Sequence, residues 1–286
     1  MSSISQHPAS TSESIAKATL ERFGESITAP TGLPGSDELR RMVEHSSHRK
    51  WTTQPVDPAL LKLLFACAMS APSKSDLQQA DIIHVADRGK IKAIADLIPD
   101  MPWINDAPVF LVFCGNNRRI RQIGEWRGKP FVNEHLDHFM NATVDAGIIL
   151  SQFIRAAEAA GLGTVPISAV RNHPRETSEI LGLPDAVFPV AGLCVGYPLE
   201  AGRITPRLQL DVTVHTDCYD DTNLKEKIDA YDQRRHALMP VRKQRYAKRY
   251  PDVEFNGWSE DKARHYSFPE RSDFGAFIRD KKFSLK

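Results

Sequence analysis

The sequence has no long apolar run, few cysteines and almost no net charge. The longest apolar stretches, at 107–114 and 187–195, are far shorter than the ~20 residues that span a bilayer, which excludes a transmembrane helix. A formal net charge of +1 in 286 residues gives the chain no overall attraction to nucleic acid or anionic membranes. The four cysteines lack metal-ligand spacing and three lie in apolar segments, so we expect reduced, mostly buried thiols.

The N-terminal region lacks the apolar core of a signal peptide. Its acidic residues Glu13 and Glu21 also argue against a transit peptide, so we expect a cytoplasmic protein. Residues 1–36 are rich in Ser, Thr and Pro, with one possible helix at 14–22. This composition predicts a flexible N-terminal extension that stays outside the core.

Hydrophobic periodicity predicts alternating helices and strands in the remaining chain. Asp37 can cap one helix and Pro58 can open another. Further elements are a long amphipathic helix at 134–160 and strands at 82–85, 108–114 and 187–195. Because no strict strand–helix–strand repeat occurs, the pattern favours an α+β fold over a doubly wound sheet. We predict a main domain at 37–222 and a C-terminal helical extension at 223–286.

Four polar segments are candidates for a ligand site. The first, after a predicted helix, offers His45, Ser46, Ser47 and Arg49, which suit an anion, although many solvated turns look similar. The second is a polar turn that could simply cap a helix, with Pro72, Ser73, Lys74, Asp76 and Gln78. The third is a short strand edge, with Pro166, Ile167, Ser168 and Ala169. The fourth is a late loop with two arginines, Arg203 and Arg207.

The order and separation of these segments resemble the FMN-binding constellation of the nitroreductase family. The resemblance covers roughly residues 37–220. It implies that His45 and Ser47 contact the FMN phosphate and that Arg49 reaches the ribityl chain or the pyrimidine edge. It also implies that the backbone N–H of Ser168 faces flavin N5, and that Arg207 belongs to a late phosphate clamp. The polar turn at 72–78 would cover the flavin of the opposite subunit.

The sequence departs from the family pattern at several of these positions. The family more often has an arginine where His45 or Ser46 stands. Thr205 stands where a lysine is expected, and Arg203 could supply the missing cation. Lys74 and Asp76 replace a serine and an asparagine. A carboxylate can accept a hydrogen bond from flavin N3–H but cannot donate one to a carbonyl, so the pyrimidine edge would be recognised differently.

The resemblance also implies a fold and an activity. The fold is three-layered α+β, with a central mixed or antiparallel sheet flanked by helices, in an intertwined homodimer with FMN at the interface. The activity is ping-pong hydride transfer from NADPH or NADH through FMN to a nitroaromatic, a quinone or a similar conjugated electrophile. Neither a catalytic acid or base nor a metal site is expected, and the partners are a second copy of the chain and a small-molecule acceptor, with no nucleic acid and no membrane.

Two alternatives to this activity stay open at the level of sequence. One is a specialised relative, such as a reductive dehalogenase or an oxidative flavoenzyme, in which the Ser168 hydroxyl tunes N5. The other is a non-catalytic flavin-binding or sensing module, suggested by the departures at Ser46, Asp76 and Thr205. The basic run within 234–249 suggests recognition of the NADPH 2′-phosphate, but a charge run is also typical of a solvated helix face.

Overall fold

The structure, a computed structural model, describes residues 10–286. Its helices are α1 (Thr11–Phe23), α2 (Ser36–Glu44), α3 (Pro58–Met69), α4 (Arg88–Asp96), α5 (Arg118–Trp126), α6 (Leu136–Ala159), α7 (Pro174–Leu181), α8 (Leu210–Thr213), α9 (Leu224–Leu238), α10 (Trp258–Tyr266) and α11 (Phe274–Asp280). Its strands are β1 (Ala80–Val85), β2 (Val109–Asn116), β3 (Gly163–Ile167) and β4 (Val187–Gly196).

The described chain forms two compact units with boundaries that differ from the predicted domains. One unit comprises 10–46 and 203–270, and the other comprises 47–202 and 271–286. The predicted division was 37–222 and 223–286. The units are discontinuous because α1 and α2 pack together and bond to the chain that follows Arg203, while the last residues of the chain return to the sheet-containing unit. Such long-range pairing leaves no mark on local composition.

A four-stranded sheet forms the centre of the second unit. Its order is β1-β2-β4-β3, and every neighbouring pair is antiparallel. Consecutive residues of β2 face opposite sides of the sheet, so Phe110 and Val112 pack into one apolar cluster and Leu111 and Phe113 into another. Helices α4 and α7 cover the first face, and α3 and α6 cover the second. The predicted three-layer α+β architecture is therefore confirmed.

The elements predicted from periodicity lie close to their observed bounds. The long helix predicted at 134–160 is α6, and the strands predicted at 108–114 and 187–195 are β2 and β4. Two of the four cysteines, Cys114 and Cys194, are buried in these strands, and burial raises the pKa of both thiols.

The N-terminal region contains a well-capped helix where we predicted a flexible extension. Ser10 and Glu13 form a capping box at the start of α1, and Gly24 ends the helix in the left-handed conformation. Ile15 and Ala18 are buried on the side that packs against α2. The possible helix predicted at 14–22 lies within α1. Residues 1–9 lie outside the described chain.

His138, near the start of α6, is buried in a neutral form. Its ring Nδ1 lies 2.7 Å from Nδ2 of Asn117. An amide nitrogen can only donate, so Nδ1 must accept and cannot carry a proton. Burial, followed by the nearby charges of His135, Arg121 and Lys74, lowers the pKa of His138 below its ordinary value of 6.5.

This lowered pKa predicts a loss of stability in mild acid. Below pH 6.5 the unfolded chain takes up a proton on His138 that the folded chain does not, so the free energy of unfolding falls as the pH falls. Above about pH 7.5 His138 is neutral in both the folded and the unfolded chain, so it no longer makes the free energy of unfolding depend on pH. Urea unfolding at about pH 7.5 and about pH 5.5 measures the difference. His138→Gln should reduce it without abolishing it, since burial also lowers the pKa of His84; an unchanged difference would contradict the assignment.

Candidate functional site

Residues 47–49 run in extended form along the outer edge of β3. Ser47 forms a parallel bridge with Thr164, and the backbone N–H of His48 donates to the Thr164 carbonyl at 2.9 Å. The approach is close: a Cβ atom on Gly163 would lie 2.7 Å from the His48 ring, so this position requires glycine. The structure thus brings the predicted Ser47 and Arg49 beside the predicted strand.

The Arg49 guanidinium lies over the ring of Trp103, 5.6 Å from its centroid. At this distance a cation–π interaction restrains the side chain. The indole Nε1 of Trp103 is buried and has no hydrogen-bond partner among residues 10–286. Sequence reasoning missed Trp103, because nothing local to a single tryptophan after a proline indicates an arginine 54 positions earlier.

The strand and the turn after it alternate between buried and exposed residues. Pro166 and Ser168 are exposed, whereas Ile167 and Ala169 are buried in the core. Pro166 and Ser168 can therefore present side chains to a ligand, as expected. The side chains of Ile167 and Ala169 lie in the core, so these two residues can offer a ligand only their backbone atoms.

Arg271 reaches the exposed face of this turn from the C-terminal segment. Its Nη2 lies 3.4 Å from the Ser168 hydroxyl, and its Nε donates to Oδ1 of Asn172 at 2.7 Å. Arg271 also lowers the pKa of Arg171, after the larger effect of burial. No sequence motif indicated this cation, because Arg271 is 103 positions from Ser168.

The polar turn at 72–78 has an unusual backbone. Ser75, Asp76 and Gln78 all have positive φ angles, near 50°. Residues with a Cβ atom rarely adopt this conformation, and such strain persists only where surrounding bonds hold it.

Asp145, on α6, holds this turn in place. Its side chain is only 2% exposed and accepts hydrogen bonds from Ser73 Oγ at 2.7 Å, from Lys74 N at 3.2 Å and from Gln79 N at 3.1 Å. Ser73 Oγ in turn accepts from Gln78 N at 2.7 Å. Sequence reasoning missed Asp145; the available signal was a carboxylate on the apolar face of a central helix.

The other residues of the turn point outward. Pro72, Lys74, Asp76 and Gln78 are exposed, with Asp76 Oδ1 accepting from Gln78 Nε2 at 3.1 Å. Lys74 Nζ lies 3.8 Å from an Asp137 carboxylate oxygen. The Ser73 hydroxyl is thus bonded to Asp145, whereas the exposed residues of the turn are available to a ligand or a second subunit.

The late arginine segment belongs to the other unit, together with His45 and Ser46. The backbone of Arg207 is fixed on both sides: its N–H donates to the Arg22 carbonyl at 2.7 Å, and its carbonyl accepts from Arg234 Nη2 at 2.5 Å. Its guanidinium is exposed and available to an anion. Arg203, expected to supply a second cation, donates instead to the carbonyl of Leu238.

Three of the seven basic residues in the run at 234–249 make internal contacts through their side chains. Arg234 donates to backbone carbonyls, Arg245 pairs with Asp261 at 2.8 Å, and Arg249 stacks on Phe268 at 5.3 Å. Only part of the run, Arg242, Lys243 and Lys248, is exposed with no contact of this kind among residues 10–286. Any role of the run in binding a nicotinamide dinucleotide therefore falls to these side chains.

Neither a metal site nor a membrane span is present in the part of the chain that the structure describes. Among residues 10–286, no three His, Cys, Asp or Glu side chains are grouped so that they could hold a metal ion. No helix in the same range is both long and apolar enough to cross a membrane.

Comparison with models of known protein families identifies the sequences to which this chain is related. The sequence model described as "Nitroreductase family" matches residues 42–197, and that of its C-terminal domain matches residues 205–286. The chain belongs to the nitroreductase family. The match to the first family model begins inside α2, and α1 lies outside the ranges matched by both models.

Individual relatives within the nitroreductase family agree with this assignment. The chain is 36% identical to "FMN reductase [NAD(P)H]" of Bacillus subtilis, over 81% of this chain and 91% of the relative. It is 33% identical to "Oxygen-insensitive NADPH nitroreductase" of Salmonella typhimurium, over 69% and 80%. The solved NADPH:FMN oxidoreductase of Vibrio harveyi, complexed with NAD+, superposes with a TM-score of 0.77 at 26% identity, covering 87% of this chain and 100% of that chain.

Proposed function

We propose that this protein is an FMN-dependent oxidoreductase that passes a hydride from NADPH or NADH to a small conjugated electron acceptor. The observation that carries the proposal is the extended segment at 47–49 lying against β3, beside the exposed Pro166 and Ser168. FMN, when bound, supplies the two-electron chemistry, and the named activities of the relatives support this cofactor and these reductants.

The residues of the sheet-containing unit fit the ring and ribityl parts of FMN. Ser47 offers a hydroxyl and Arg49 a cation already oriented by Trp103. Pro166 offers a flat apolar surface without a donor, and Ser168 offers a backbone N–H and a hydroxyl on an open face. Arg271, held by Asn172, adds positive charge next to Ser168, which suits the negative charge that a flavin gains on reduction.

The residues of the other unit fit a phosphate. His45 and Ser46 follow the end of α2, and Arg207 presents an exposed guanidinium on a fixed backbone. A guanidinium binds phosphate through charge-assisted and often bidentate hydrogen bonds, and a serine hydroxyl adds a neutral donor. Ser46 precedes Ser47 directly, so the predicted phosphate and ring residues are continuous in the chain.

The acceptor is proposed as a nitroaromatic, a quinone or free flavin. The names of the relatives include both flavin reductases and a nitroreductase, and Pro166 and Ser168 leave an open face for a planar molecule. We place the reaction in the cytoplasm, where NADPH is available and the four free cysteines stay reduced.

An anaerobic absorbance experiment tests the proposed function. Purified protein loaded with FMN should show a flavin spectrum that bleaches when NADPH or NADH is added, and a nitroaromatic or quinone should restore the colour. A protein that binds FMN but is not reduced would be a flavin-binding module instead. A protein that does not bind FMN would refute the proposal.

We further propose that the protein is a homodimer that uses one face of α6. Leu136, Met140 and Val144 recur every fourth residue, so they form one apolar stripe, and all three are exposed. Exposed apolar stripes of this kind on a central helix are typical of subunit interfaces, and we assign the occupant as a second copy of this chain.

Disrupting this stripe should separate the subunits. Met140→Glu places a charge in the proposed interface, and we expect the protein to elute as a monomer in size-exclusion chromatography with light scattering. Leu199→Glu is the matched control, because Leu199 is 61% exposed and Met140 59%. A dimer that persists in Met140→Glu, or a wild-type monomer, would contradict the assignment of this face.

A further inference from the structure

Arg22, at the end of α1, is a buried cation that bonds to two separate parts of its unit. It is 6% exposed. Its Nε donates to the carbonyl of Val43 at 2.9 Å, its Nη2 to that of His45 at 2.5 Å, and its Nη1 to that of Thr205 at 3.2 Å. The planar guanidinium thus joins the end of α2 to the late arginine segment.

The backbone of Arg22 makes a further link to the same segment. Its carbonyl accepts from the N–H of Arg207 at 2.7 Å and from Arg234 Nη1 at 3.4 Å. Arg22 therefore contacts both neighbours of Pro206 and both neighbours of Glu44, the last residue of α2. Pro206 itself is fixed by Tyr231, whose hydroxyl donates to its carbonyl at 3.0 Å.

These bonds satisfy backbone carbonyl groups at the end of α2. The last carbonyls of a helix have no partner within the helix, and α2 ends at Glu44 without a capping glycine. The basic residue of its last turn, Arg41, bonds to the Glu38 carboxylate. Arg22 supplies donors to Val43 and His45 from outside. The position and orientation of His45, which comes directly after the helix, thereby depend on α1.

We propose that Arg22 is a positioning residue for the phosphate end of the cofactor site, where it holds His45 and Arg207 at a fixed separation. This inference rests on the proposed function, since it takes the FMN phosphate as the ligand of those two residues. It goes beyond the family, because α1 precedes both ranges that the family models match.

Comparing the affinities for FMN and riboflavin isolates the contribution of the phosphate to binding. Riboflavin has the same ring and ribityl chain as FMN but no phosphate, so misplacing the phosphate ligands should weaken FMN alone. We expect Arg22→Ala to weaken FMN binding about tenfold, the equivalent of one misplaced contact, and to change riboflavin affinity less than about twofold.

The experiment titrates FMN and riboflavin into flavin-free full-length protein, with flavin fluorescence as the signal and thermal unfolding measured in parallel. Arg22→Lys keeps the charge but not the planar fork, so it should fold and give an intermediate FMN affinity. Lys17→Ala is the matched control, because Lys17 is an exposed cation on the same helix, and it should bind both flavins as the wild type does.

Each outcome decides between roles. A selective loss of FMN affinity in Arg22→Ala and Arg22→Lys supports the positioning role. Equal loss of both flavins, together with a lower unfolding temperature, would make Arg22 a purely structural residue, and unchanged FMN affinity would also overturn the proposal. Wild-type protein that binds neither flavin would instead refute the proposed function, and this inference with it.

Discussion

Arg207→Ala is expected to weaken FMN binding by about 10- to 100-fold without unfolding the protein. Hydrogen bonds to a charged group contribute about 1.5–3 kcal/mol, and about 1.4 kcal/mol corresponds to a factor of ten in Kd. The backbone bonds from Arg207 to Arg22 and Arg234 involve main-chain atoms of residue 207, so alanine retains them. Fluorescence titration of the flavin-free protein measures the change, and thermal unfolding checks the fold.

Arg203→Ala is the matched control for this prediction. Arg203 lies four residues earlier in the same segment, but its guanidinium donates to the carbonyl of Leu238. If that contact is its role, the variant should retain FMN affinity within about twofold, with a small loss of stability. Equal effects of the two substitutions would mean that Arg203 leaves Leu238 and shares the phosphate. An unchanged Kd in Arg207→Ala would remove Arg207 from the site.

Asp145→Ala is expected to destabilise the protein by about 3 kcal/mol or more. The carboxylate accepts from Ser73 Oγ, Lys74 N and Gln79 N, and the last of these is buried. A buried donor left without its acceptor costs about 1–3 kcal/mol. At about 2–4 °C per kcal/mol for a chain of this size, the unfolding temperature should fall by at least about 6 °C.

The same substitution should also change the polar turn itself. The positive φ angles of Ser75, Asp76 and Gln78 depend on external bonds, so the turn should relax when Asp145 is removed. Hydrogen exchange at 73–79 should accelerate in Asp145→Ala. Asp137→Ala is the control, since Asp137 lies on the same helix, is exposed, and approaches Lys74 only at 3.8 Å. Similar losses of stability in both variants would refute the anchoring role of Asp145.

Much of the architecture could be predicted from the sequence because it depends on local periodicity. The apolar run at 108–114 predicted a buried strand, and the recurrence of apolar residues over 134–160 predicted a long helix. These patterns recur within a few residues, so a window of the sequence contains the whole signal. The possible helix at 14–22 was also found within α1, whose buried face includes Ile15 and Ala18.

The candidate site was only partly predictable, because several of its partners are distant in sequence. Trp103 beneath Arg49, Arg271 beside Ser168 and Asp145 behind the polar turn have no motif that links them to these residues. Their contacts arise when separate elements pack, and a one-dimensional pattern does not record such packing.

By itself the sequence identified the segments that we propose to carry the chemistry: the donors at 45–49, the strand edge at 165–169 and the cation Arg207. Residue type fixes which charges and hydrogen bonds a segment can offer, so this much is local. Only the tertiary structure decided which side chains point outward and which hold the others in place. In the folded chain Ile167 is buried and Pro166 is exposed, and the Arg203 guanidinium donates to the carbonyl of Leu238. It also inserted Arg22 between α2 and Arg207, because burying a polar group requires partners that only packing can bring within hydrogen-bonding distance.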